Sequence, residues 1–83
     1  MAKKNEISTT DKAMQYEPLL PAVFKSLGLR MTEGRKVDVL TIISEGIRDD
    51  DGWMTIATDI CDYLNIERRH NRKEIIETLG VTC

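Results

Sequence analysis

The sequence predicts an all-α fold, a small bundle of about four helices behind a flexible N-terminal tail, and three observations carry that prediction. Apolar residues recur at Trp53, Ile56, Ala57, Ile60, Cys61 and Leu64. Their i, i+3, i+4, i+7, i+8, i+11 spacing is that of an amphipathic helix and not of a strand. Two short signatures, Leu27-Gly28-Leu29 and Leu79-Gly80-Val81, put glycine where a left-handed residue ends a helix, followed by the apolar residue that folds back on it. The composition agrees. Of 83 residues, 41% are hydrophobic and 31% charged, with only five Gly and two Pro. That supplies a core and too few breakers for a disordered chain. A chain of this length forms one domain.

Residues 1–10 carry one apolar side chain beyond the initiator, Ile7, and read as the tail. The helical domain then spans 11–83, with residues 11–16 as a separate helical turn. The next helix runs over 18–27, with Pro18 and Pro21 in its first turn, where proline is tolerated. Thr32 is the expected N-cap of the following helix, its hydroxyl accepting a free backbone N–H. That helix covers 35–48 and places Val39, Leu40, Ile43 and Ile47 on one face, broadened by Val37 and Ile42. Its β-branched content would suit a strand, but about 14 residues pass without alternation, which favours helix. Gly46 should weaken its last turn by about 1 kcal/mol relative to alanine. Asp49-Asp50-Asp51-Gly52 is a turn, with Asp51 or Gly52 capping the helix 53–64. After a break at Asn65-Ile66, residues 67–79 form the last helix around Ile75, Ile76 and Leu79.

Several function classes drop out. No stretch approaches the roughly 18–20 apolar residues of a membrane-spanning helix, and the polar start lacks the apolar segment of a secretory signal. A cytoplasmic location is the expectation, with Cys61 a buried free thiol and Cys83 a terminal one rather than a disulfide. Two Cys and one His fall short of a structural zinc site. The scattered glycines form no phosphate loop, so neither metal nor cofactor is expected. Ser8, Ser26 and Ser44 have no histidine nearby in sequence. A bundle this small has little interior for a pocket of roughly 300 Å³. No enzymatic activity is expected.

Charge is what stands out. Residues 49–66 hold five acids, Asp49, Asp50, Asp51, Asp59 and Asp62, and no base. Residues 68–73 hold Arg68, Arg69, Arg72 and Lys73 with His70 and Asn71, and no acid. Two solvated helix faces that attract each other would account for this. The same stretch also resembles a helix-turn-helix module. Residues 55–66 stand for its middle helix, 67–81 for the exposed recognition helix, and 35–48 for the first helix of a trihelical core. The resemblance covers residues 35–81. It implies DNA binding through Arg68, Arg69, His70, Asn71, Arg72 and Lys73, with Arg and Asn on base edges and Lys73 on a phosphate.

The reading favoured over DNA is a small regulatory or adaptor protein that binds another protein. Its acidic residues Asp49, Asp50, Asp51, Asp59 and Asp62 would steer the partner. Met31, Trp53, Met54 and Tyr63 are the candidate apolar anchors, although core packing is the commoner fate for Trp53. Surplus apolar surface from Leu19, Leu20, Phe24, Val37 and Ile42 gives a homodimer as a further outlet. Small accessory proteins of this kind look like those that phages and other mobile elements encode to modulate a host machine.

Overall fold

The structure, a computed structural model, describes residues 9–81, with side chains from Lys12 onward. It is all-α, and no strand occurs among the described residues. A short helix α1 (Thr9–Met14) leads through a 3-10 turn (Glu17–Leu19) into α2 (Leu20–Leu27), followed by α3 (Glu33–Arg48), α4 (Trp53–Leu64) and α5 (Arg68–Leu79). The expected tail lies outside the described residues up to residue 8. Its last two residues, Thr9 and Thr10, instead open α1.

Local signals set the boundaries. Pro18 and Pro21 occupy the first positions of the 3-10 turn and of α2, where their missing N–H groups cost nothing. Thr32 caps α3, its Oγ1 accepting the Arg35 N–H at 3.2 Å. Gly52, in extended conformation, precedes α4. Three helices then stop by one device: Gly28, Asn65 and Gly80 take the left-handed conformation, with φ of 72°, 58° and 71°. The next residue in each case, Leu29, Ile66 or Val81, donates its N–H to a carbonyl five residues back, at 2.9, 3.0 and 3.2 Å. Those three side chains also pack, partly buried, against the core, so each reversal is held by an apolar contact as well as a backbone bond.

The helices stack in an order that differs from the chain. Helix α1 lies along α3, α4 packs against both α3 and α5, and α2 covers α5. The result measures 43 × 25 × 20 Å. Its core is aliphatic apart from Phe24, and unites Leu20, Val23, Val39, Ile43, Ile56, Ile60, Ile75 and Leu79 with the buried thiol of Cys61. This corrects the expected dimer surface. Leu20 and Phe24 are buried, and Leu19 and Ile42 are packed against the core, because α5 closes over α2 and α4 over α3. Of that set Val37 alone stays open, at 50% exposure.

Candidate functional site

The acidic residues converge where α3 hands over to α4. Asp49 ends α3, its N–H bonded to the carbonyl oxygens of Glu45 and Ile47. Asp50 turns the chain in a left-handed conformation, φ 59°, which aspartate tolerates better than most residues. The Asp51 N–H then returns to the Gly46 carbonyl oxygen at 2.8 Å. Gly46 is buried against Ile56 of α4 with no room for a side chain, so the two helices approach closely there. The outcome is an open cleft of about 280 Å³ with Ile42 and Gly46 at its base and five carboxylates around it: Glu45, Asp49, Asp51, Asp59 and Asp62. No basic side chain lines it.

Two of the five have a partner at the rim. Asp49 meets Arg48 at 3.3 Å. Asp62 accepts a fork from Arg68, with Nε at 2.8 Å and Nη2 at 2.9 Å. The fork raises the Arg68 pKa, chiefly through the hydrogen bonds and then through the charge of Asp62. Glu45, Asp51 and Asp59 form no ion pair among the described residues. Beyond the cleft, the Tyr63 hydroxyl donates to the Asp38 carboxylate of α3 at 2.5 Å. That bond pushes the phenol above its usual value, since ionising Tyr63 would set a second negative charge against Asp38.

The expected site residues therefore divide. Asp49, Asp51, Asp59 and Asp62 share the cleft, and Asp50 sits in the turn beside it. Trp53 lies elsewhere, partly buried, its ring edge-on to Tyr16 at a centroid distance of 5.1 Å. Met31 also packs against the core, while Met54 stays exposed. Sequence reasoning missed Glu45, Ile42 and Asp38. Their spacing with Asp49 (38, 42, 45, 49) is a helical stripe that could have shown them on one face of α3.

The basic segment is less available than its composition suggests. Arg68 is turned back onto Asp62. Arg72 is partly buried, its Nη1 donating to Thr58 Oγ1 of α4 at 3.3 Å, and its buried Nε finds no acceptor. Asn71 donates to the Glu67 carbonyl oxygen at 2.7 Å. Arg69, His70 and Lys73 face solvent. The N-terminus of α5 is occupied by its own Glu67, whose carboxylate accepts the N–H groups of Arg69 at 2.6 Å and His70 at 3.1 Å. These bonds hold the Glu67 carboxyl below its ordinary value of 4.5, the direction expected when the folded state favours the charged form. A group lowered in this way stabilises the fold above its unfolded pKa, and the contribution is lost as pH falls through the folded one. The amide proton shifts of Arg69 and His70 should accordingly titrate together with a midpoint below 4.5, and Glu67→Ala should abolish that titration. A shared midpoint above 4.5 would contradict the cap.

Catalytic elements do not assemble here. The Cys61 thiol is pushed up, first by burial and then by the neighbouring Asp62 charge, which suits packing and not nucleophilic attack. Among the described residues no group of His, Cys, Asp and Glu has a metal-holding arrangement, and no helix is long and apolar enough to cross a membrane. A larger groove of about 510 Å³ runs between α1 and α3, more room than the sequence suggested, but it lies open on the surface. Comparison with protein-family models, curated proteins and solved structures finds no match for this chain.

Proposed function

We propose that this chain is a small non-enzymatic regulatory or adaptor protein whose acidic α3–α4 cleft docks a basic segment of another protein. One observation carries the reading: five carboxylates surround a single cleft, three of them without a cation. Such a surface accelerates encounter with a cationic partner and rejects an anionic one. Desolvating those carboxylates is costly unless the partner supplies Lys or Arg. Ile42 offers the apolar floor against which a partner's side-chain stem can lie.

The alternative, DNA recognition by α5 as the second helix of a helix-turn-helix, draws on Arg69, His70 and Lys73 alone for outward-facing groups. Against it, Arg68 and Arg72 bond to α4, and Glu67 already fills the helix N-terminus where a phosphate would sit.

Affinity capture followed by mass spectrometry separates the two. The wild-type chain should retain a protein with a Lys/Arg-rich segment. Asp51→Lys and Asp59→Lys together should release it while leaving the internal pairs of Asp49 and Asp62 intact. If nucleic acid is retained instead, and Arg69→Ala with Lys73→Ala frees it with a steep salt dependence, the protein-docking reading fails.

A further inference from the structure

The groove between α1 and α3 has a symmetry that the acidic cleft lacks. Two of the four large exposed hydrophobic residues, Met14 at 42% and Val37 at 50%, lie on it. Leu40, partly buried, continues the apolar strip between them. Along α3 the groove is lined at positions 33, 36, 37, 40, 41, 44, 45 and 48. Read from either end, the intervals are the same. When one α3 lies antiparallel to another about a two-fold axis between Leu40 and Thr41, each groove position meets a groove position of the partner.

The charges in that register are opposite. Glu33 meets Arg48 of the second copy, and Lys36 meets its Glu45. At the centre Val37 lies against Ser44, and Leu40 against Thr41. The end pairs are available. The side chains of Glu33 and Arg48 are 80% and 61% exposed, and Arg48 is held only by its exposed neighbour Asp49, a contact of small worth in water. Lys36 already bridges Glu17 at 3.2 Å and Glu33 at 3.5 Å, so Glu45 of a second copy would share it.

From this self-complementarity we infer that the α1–α3 groove is the seat of a second copy of this chain, in an isologous, antiparallel α3–α3 dimer. A two-fold axis demands that one patch be its own complement, and a stripe of palindromic spacing and opposed charge meets that demand. A heterologous partner would need no such symmetry. The apolar strip is short, which makes the dimer weak and concentration-dependent. The groove borders the acidic cleft at Glu45, which lines both, yet the inference does not depend on what the cleft binds.

Sedimentation equilibrium of the full chain from about 10 µM to about 1 mM spans the weak range in which such a dimer should form. The wild-type chain should pass from monomer to dimer. Arg48→Glu opposes like charges at both ends of the interface and should weaken the dimer about tenfold or more. Glu33→Arg combined with Arg48→Glu should restore it. Val37→Glu, at a half-exposed position that the core does not need, should abolish dimerisation while leaving the helical circular dichroism unchanged. A wild-type chain that stays monomeric throughout overturns the inference. So does a dimer indifferent to Val37→Glu, or a double variant that associates no better than Arg48→Glu.

Discussion

Replacing Phe24 with alanine is expected to bring the protein close to unfolding at room temperature. Phe24 is the largest fully buried side chain in the described chain, 1% exposed, and it belongs to the face of α2 that meets α5. The other rings cannot compensate. Tyr16 and Trp53 are only partly buried against each other, and Tyr63 is exposed. Deleting a buried phenyl group loses its transfer free energy and leaves a cavity, together about 3–5 kcal/mol. A domain of 83 residues has about 4–12 kcal/mol in total, taking roughly 0.05–0.15 per residue. Thermal unfolding should therefore drop by about 12 °C or more. Val37→Ala, at a half-exposed site, should stay within about 0.5 kcal/mol of wild type. Should the two variants unfold together, Phe24 is not in the core.

What could be read from the sequence was what neighbours in the chain decide. The turn-by-turn recurrence from Trp53 to Leu64, the Thr32 cap and the glycines at 28 and 80 each act within one or two helical turns, and each behaves as its chemistry dictates. Asn65 shows the margin of that method. It ends α4 in the same left-handed conformation as the two glycines, at a position the sequence marked only as a break, because asparagine reaches this region less often and leaves a weaker signature. Contacts between distant segments were beyond it. Nothing near Leu20 or Phe24 in the chain tells that α5 will cover them. The acidic run at 49–62 was visible, but Glu45 and Ile42 join it only through the crossing of α3 and α4. Likewise Arg68 looked available until the turn at 65–67 swung it onto Asp62. Charge was legible as composition; its partners were a matter of packing.

Gly46 tests that packing most directly. Judged locally, glycine near the end of a helix is a defect, and alanine there should help by about 1 kcal/mol. The structure reverses the sign. A Cβ on Gly46 would stand 2.7 Å from Ile56 Cδ1 and closer still to Cγ1, well inside van der Waals contact. Cγ1 is bonded directly to the branched Cβ, and Ile56 is itself 1% exposed, so the side chain has no free space to swing into. The strain must pass to the backbone as a separation of α3 from α4. Overpacking of this kind costs about 1–3 kcal/mol, so Gly46→Ala should lose about 1–2 kcal/mol net of the helix gain. Gly34, on the same helix, has nothing within 4 Å of its Cβ position, and Gly34→Ala should be stabilising, by up to about 1 kcal/mol. Denaturant midpoints of the two variants should move in opposite directions. Separation of the helices also carries Asp59 and Asp62 away from Glu45 and Asp49, so Gly46→Ala should weaken docking of a basic partner under conditions where the chain is still folded. Were Gly46→Ala as stable as Gly34→Ala, the close crossing of α3 and α4 would be wrong, and the cleft built on it would go with it.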